Sequence, residues 1–382
     1  MWLRIWRAIS PVLILLGGVS VQAVALAQPG YYVTPSFGIA ELYNDNIFYT
    51  PSNRKGDFIT RLSPGILAGY ESATLTLLGG YTFDGEIFAH RTDLNEAMAR
   101  QKASIDFRAL PTRPLTLSVK GEYTETQTPR ELNLATGIPL GRTRADQFLL
   151  DPSVAYRFDA MTTGTLGYKF TKDDLTGGIT SDTHVGKLGI DRRVTPSDTL
   201  GLEYSFQQFL FDGEDRTNAY SIVPGWTHEL TPLTSLTLRA GPRFSEGSVD
   251  ADILASVRHR LTAGEVSLVY TRTQTTALGL RGTTKTDSVA LVAKYKPLPL
   301  LELSLSPGFF RSRLGDTEAD VYRVKLDATY ELTRWLSLLG SYEYVLQDGI
   351  LTGTPGVVGQ HRNISNNTVT LGLVAKFRTR VY

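Results

Sequence analysis

Between Tyr322 and Leu332 apolar and polar positions alternate one for one. Tyr322, Val324, Leu326, Ala328, Tyr330 and Leu332 take one side, and Arg323, Lys325, Asp327, Thr329 and Glu331 the other. A period of two belongs to a β-strand with one apolar and one polar face. After a tight connection at Thr333-Arg334 the pattern resumes. Leu336, Leu338, Tyr342 and Tyr344 then oppose Ser337, Ser341 and Glu343. Each segment runs for about ten residues, the length a tilted strand needs to cross a bilayer. Hairpins of this kind recur along the chain.

Two kinds of connection separate them. Short ones carry proline or a tight polar pair, as in Leu110-Pro111-Thr112-Arg113-Pro114, Leu230-Thr231-Pro232-Leu233 and Lys296-Pro297-Leu298-Pro299. Proline fixes φ and cannot donate to a ladder, so these mark strand ends. Longer ones are polar: Thr50 to Asp57, Gln127 to Arg142, Asp173 to Asp182, Asp212 to Arg216, Leu278 to Thr284, Gly315 to Ala319 and Asp348 to Arg362. Short turns at one end and long loops at the other are the asymmetry of outer-membrane barrels. Eighteen segments fit between the connections, from 33–43 and 58–70 to 335–347 and 365–377, with sixteen as the alternative count. The expected fold is all-β, a transmembrane antiparallel up-and-down barrel.

The N-terminus changes the compartment. Arg4 and Arg7 precede an apolar stretch, Ala8 to Ala25, and Ala25-Leu26-Ala27 supplies a small-x-small cleavage pattern. Residues 1–27 therefore read as a secretory signal peptide and 28–382 as the barrel. An uncleaved anchor is the rival, and the Gly17-Gly18 interruption argues against it. Without Arg4 and Arg7 the 39 basic residues become 37 against 38 acidic ones, a net charge of −1, so nucleic acid is not an expected partner. There is no Cys, which excludes disulfides and a lipoprotein anchor. Gly 35, Tyr 18 and Phe 16 against three Met suit strands and turns rather than helices.

In a membrane barrel the apolar set faces lipid and the polar set faces the lumen. Candidate pore-lining residues are Arg108, Lys120, Glu122, Arg157, Lys169, Asp191, Arg193, Glu203, Arg239, Arg243, Arg258, Lys294, Arg323, Lys325, Asp327 and Glu343. Two readings stay open: a wet conduit with a mildly basic wall, or charges paired off between neighbouring strands. Tyr81, Tyr123, Tyr156, Tyr322 and Tyr344 at segment ends suit interfacial girdles. A soluble β-sandwich or solenoid is the rival fold, poorly suited to a signal peptide and so many hairpins.

Catalytic chemistry has no foothold. His90, His184, His228, His259 and His361 are scattered, and no HExxH, zinc or phosphate-loop spacing occurs. Asp173-Asp174 reads as a solvated loop pair, and no cofactor or metal is expected. The stretch Asn44 to Phe48, NDNIF, suits Asx-type turns closing the first hairpin, with a rim loop holding a cation as the sharper alternative.

The stretch LYNDNIFYTPSNRKGDFITRLSPGI, Leu42 to Ile66, resembles the opening of β-barrel porins encoded in exopolysaccharide biosynthesis loci. SNNTVTLGLVAKF, Ser365 to Phe377, is similar to their final strand. The resemblance implies an outer-membrane conduit that takes part in exopolysaccharide export in a Gram-negative bacterium. Its partners would be the polysaccharide cargo, outer-membrane lipid, the barrel assembly machinery, and periplasmic and inner-membrane export proteins. A general diffusion porin and a plugged barrel that docks secretion machinery are the alternatives. Both termini are expected in the periplasm. Outer-membrane barrels commonly end on an aromatic residue preceded by alternating apolar positions. Tyr382 is terminal but follows Arg380 and Arg378, so Leu371, Leu373 and Phe377 are the candidate assembly signal, leaving a five-residue tail.

Overall fold

A computed structural model describes residues 30–212, 215–351, 363–377 and 379–381. The expected signal peptide 1–27, His361, Tyr382 and most of the connection from Asp348 to Arg362 lie outside them. The chain runs as β1 Gly30–Asn44, β2 Asp57–Glu71, β3 Leu75–Phe88, β4 Glu96–Thr112, β5 Leu115–Thr126 and β6 Ala145–Arg157. It continues as β7 Thr162–Leu175, β8 Ser181–Arg193, β9 Asp198–Phe211, β10 Asp215–Thr231, β11 Thr234–Ser245 and β12 Ser248–Leu261. The last third comprises β13 Gly264–Thr276, β14 Thr283–Leu298, β15 Leu301–Leu314, β16 Thr317–Glu331, β17 Leu336–Gly349 and β18 Ile364–Lys376.

Each strand pairs antiparallel with its sequence neighbours, and β1 pairs with both β2 and β18, so the sheet closes on itself. Closure leaves no unpaired edge, the condition for a sheet to span hydrocarbon. A final segment, Thr379–Val381, pairs with Val33, Tyr32 and Tyr31 in the register that β18 sets at Ser36–Lys376. The interruption lies opposite Pro35, which accepts from the Phe377 amide at 2.9 Å but has no N–H to return the bond. The barrel thus has eighteen staves, and the expected five-residue tail is in part a continuation of the last one.

The strands are longer than ten residues, from 12 in β5 to 17 in β4. That length overturns parts of the loop reading. Asp173 and Asp174 belong to β7, and Asp173 is buried with Gln147 Nε2 donating to it at 2.6 Å. The connection expected across Gly315 to Ala319 shrinks to Gly315 and Asp316, and the one across Asp212 to Arg216 loses its last two residues to β10. Alternation carries the ladder on for as long as facing strands offer partners, whatever the polarity of the residues at the top.

One set of alternate positions is apolar and exposed around the girth, as at Leu166 (58%), Leu188 (59%) and Leu200 (49%). A belt of that extent suits hydrocarbon, not water. Tyr81, Tyr156 and Tyr322 share that outward side, and Tyr322 packs on Phe309 with ring centroids 4.9 Å apart.

The two stretches that carry the family resemblance meet at the closure. Asn44 Oδ1 accepts from the Asn46 amide at 2.8 Å, an Asx turn, and from Asn366 Nδ2 at 2.6 Å. Asn46 Nδ2 donates to the Ser365 carbonyl at 3.0 Å, and Asp45 accepts from both the amide and the side chain of Asn367 at 2.7 Å. Asn46 and Asn366 are fully buried. The turn expected at NDNIF is therefore half of a clasp between the first and last strands.

Candidate functional site

The 127–144 segment leaves β5 and returns to β6, yet it touches strands elsewhere on the ring. Arg130 Nη2 donates to Glu343 Oε2 on β17 at 2.8 Å, and Arg142 Nη2 to Glu86 Oε2 on β3 at 2.8 Å. Ile138 and Leu140, both fully buried, cluster with Phe310 of β15, Val321 of β16 and Val345 of β17. Contact with strands on both sides of the closure is possible only through the interior. Glu86, Val321, Glu343 and Val345 alternate with the exposed apolar set, which identifies the polar set as the inner wall.

The loop braces itself before it docks. Pro129–Glu131 forms one 3-10 turn, in which proline at the first position gives up no hydrogen bond. Asn133 Oδ1 accepts from Thr136 Oγ1 at 2.7 Å, and its Nδ2 donates to the Ile138 carbonyl at 3.1 Å. Gly137 has φ 69°, and a Cβ there would meet Phe310 Cδ2 at 2.8 Å, so the tip lies directly on that ring.

Two ionic latches hold the loop. At the first, Arg130 lies over the Tyr49 ring, 5.3 Å from its centroid, and shares Glu343 with Arg323 Nε at 2.5 Å. Burial pushes the Tyr49 phenol above its ordinary pKa, with Arg130 opposing, so the ring meets the guanidinium as a neutral aromatic face. At the second, Glu86 binds Arg142 and also Arg61 Nη2 at 2.7 Å, while Arg142 lies over the Phe88 ring at 4.9 Å. Arg100 adds Glu131 at 3.1 Å.

Other loops join at the same level. Ala277, Leu278 and Leu280, from the connection between β13 and β14, enter the cluster with Ile138 and Leu140, as do Leu175 and Leu351. Ile179 bridges Gly279 across the mouth. The long-loop end of the barrel is thus narrowed by an apolar knot of loops rather than left as an open rim.

The predicted wall residues fall on the inward alternation, and many are paired. Glu122 meets Lys102 at 2.9 Å and Glu203 meets Lys187 at 3.2 Å. Arg239 reaches Asp191 at 3.2 Å and Glu203 at 3.7 Å, and Arg258 reaches Glu265 at 3.2 Å. Lys325 meets Asp327 at 3.0 Å, and Arg243 binds Asp250 and Asp252. Arg108, Lys120, Arg157, Lys169, Arg193 and Lys294 occupy the same inward parity. Of the predicted set, Glu343 is the one that the docked loop grips. Arg130, Arg142, Arg100 and Glu86 were not singled out as site residues. Ile138-Pro139-Leu140 was the available signal, since an apolar run ill suits a solvated loop.

The histidines sit apart. His90 contacts Asp57 at 2.9 Å, His228 contacts Asp198 at 2.8 Å, His184 contacts Tyr168 at 2.7 Å and His259 contacts Thr234 at 2.8 Å. Among the described residues no group of three or more His, Asp or Glu is placed to hold a metal ion. The candidate assembly residues Leu371 and Leu373 face outward, and Phe377 stacks on Trp335 with centroids 5.6 Å apart.

No protein-family profile matches the sequence, and no curated protein matches it. Among solved structures the chain is similar to OccAB4 of Acinetobacter baumannii, at 11% identity over 92% of this chain and 98% of that one, with a TM-score of 0.49. It is similar to OpdO of Pseudomonas aeruginosa at 13% identity, 92% and 98% coverage and a TM-score of 0.47. An anion-selective porin from Comamonas acidovorans gives 14%, 92% and 99%, with a TM-score of 0.39.

Proposed function

We propose that this chain is a porin-like conduit of the Gram-negative outer membrane that passes small hydrophilic solutes, with both termini periplasmic. The observation that carries the reading is the 127–144 loop, latched inside a closed barrel whose outer face is apolar and whose inner wall is charged. An apolar exterior places the barrel in lipid, and a wall of charges requires water in the lumen. A loop docked on the wall then sets the width of the passage. Paired charges of both signs give a weak net field, so such a conduit sorts solutes by size more than by ionic sign.

Export of exopolysaccharide is the second reading, and the sequence resemblance favours it. In this reading the loop knot gives way to the polymer strand, with Arg130 and Arg142 releasing their carboxylates. A plugged scaffold is the third. Purified, refolded protein in a planar bilayer separates them. A steady conductance with permeation of small sugars into liposomes supports the solute conduit, and a folded barrel that never conducts overturns it. A deletion strain that loses surface polysaccharide and accumulates it in the periplasm replaces the solute reading with export.

A further inference from the structure

Three connections at the long-loop end are tied to one another over the lumen. The tips of the β7–β8 and β13–β14 hairpins, 176–180 and 277–282, have four strands, β9 to β12, between them. A tie between such tips is a chord across the mouth. Ile179 supplies it, its amide donating to the Gly279 carbonyl at 3.0 Å. The contact depends on glycine. Gly279 has φ 75°, and a Cβ on Gly178 would come within 2.8 Å of Gly279 Cα. Two backbones approach that closely only where neither carries a side chain.

The outer end of the chord is ionic. Arg281 binds Asp215 through Nη1 and reaches Asp212 Oδ2 with Nη2 at 3.3 Å. Asp212 also accepts from the Thr180 amide at 3.1 Å, so one guanidinium joins all three connections. Side-chain exposure is 39% for Arg281, 41% for Asp212 and 59% for Asp215, against 10% for both Arg130 and Glu343. Salt therefore reaches this tie and spares the latch. The Debye length falls from about 10 Å at 0.1 M to about 3 Å at 1 M, and buried pairs are screened much less. The inner side of the chord is apolar. Ala277, Leu278 and Leu280 are buried in the cluster that holds Ile138 and Leu140 of the 127–144 loop. Withdrawal of the loop strips cover from the tip, and a lifted tip strips cover from Ile138 and Leu140, so the two movements are coupled.

We propose that the two tips and Arg281 form a strap that retains the 127–144 loop, and that ionic strength at this end of the barrel sets how often the strap lifts. The buried latches orient the loop, and the exposed tie controls its release. What release does to the passage rests on the solute-conduit reading; release itself can be measured whether or not the barrel conducts.

The test is limited proteolysis of the folded full-length barrel by subtilisin in a neutral detergent, with cleavage within 127–144 as the readout. Arg281→Gln should speed that cleavage by about two- to fivefold at about 0.1 M KCl, the scale of an exposed ion pair. Raising KCl to about 1 M should speed cleavage of wild type by a similar factor and leave Arg281→Gln unchanged. The variant thus also controls for any effect of salt on the protease. Because the chain has no Cys, Asp212→Cys and Arg281→Cys can be combined and joined by a bifunctional methanethiosulfonate reagent. Joining should slow cleavage about tenfold, since cutting follows the population of the released form, and reductant should restore it. Equal cleavage of the joined and reduced forms overturns the proposal. So does an Arg281→Gln rate equal to that of wild type at low salt.

Discussion

Arg130→Met isolates the first latch while keeping a long side chain over the Tyr49 ring. The change removes the Arg130–Glu343 hydrogen bond at 2.8 Å. A hydrogen bond to a charged group contributes about 1.5–3 kcal/mol, and the cation over the Tyr49 ring about 0.5–2 kcal/mol more. Stranding a buried carboxylate can cost about 3–5 kcal/mol, but Glu343 retains Arg323 at 2.5 Å, so that penalty is largely avoided. The docked loop should therefore lose roughly 2–3 kcal/mol relative to the released loop, a rise of about 30- to 150-fold in the released fraction. Burial of Ile138 and Leu140, worth about 3–6 kcal/mol together, and the Arg142–Glu86 latch should still keep the docked form in the majority. Single-channel recording in planar bilayers reads the effect as more frequent steps to a larger conductance. Limited proteolysis within 127–144 should speed up in parallel. The reasoning fails if dwell times and cleavage both match wild type, since a loop indifferent to its latch neither docks through it nor sets the passage.

Three further outcomes follow from other contacts. Gly137→Ala places a methyl against Phe310 at a φ of 69°, and should loosen the tip by about 1–3 kcal/mol, read as raised conductance noise with unchanged heat-modifiable mobility on gels. Asn366→Ala removes one donor from Asn44 Oδ1, which keeps the Asn46 amide, and one from the Asn46 carbonyl, which keeps the Tyr49 amide, and should cost about 0.5–1.5 kcal/mol and lower the unfolding temperature of the refolded barrel. Truncation after Phe377 strips the rungs at Tyr31, Tyr32 and Val33 but leaves those from Ser36 to Asn44. The shortened barrel should assemble in cells and unfold at a lower temperature; failure to assemble would move the signal from Leu371, Leu373 and Phe377 to the last residues.

The wall was legible because its information is local. In β16 the sequence Tyr322-Arg323-Val324-Lys325 states which side faces out without reference to any other strand, and the expected segments 58–70 and 365–377 fall within one residue of β2 and β18 at each end. Pairing partners follow from the order of the hairpins, so closure asks only that the first and last strands meet. Boundaries were less legible at polar tops. Asp173-Asp174 has the composition of a turn, yet Gln147 and the facing rungs of β6 and β8 hold it in a strand. Propensity at such positions yields to the ladder.

The loop was hidden for the opposite reason. Arg130 and Glu343 are 213 residues apart, and neither carries a local mark of the other. Closing such a contact depends on which strands the closure brings to one side of the lumen, and on a tip whose Gly137 fits Phe310. Composition did hold a hint, because Ile138 and Leu140 flank Pro139 in a segment otherwise polar enough to pass for a solvated loop. Two fully buried aliphatic side chains, at about 3–6 kcal/mol together, stabilise the docked state at least as much as one latch. The loop therefore needs both chemistries: apolar burial gives it a resting place, and the guanidiniums decide its orientation there. A passage built in this way can be widened without unfolding the barrel. The wall rungs share no hydrogen bond with the two latches, so loop release and barrel melting should separate as two transitions.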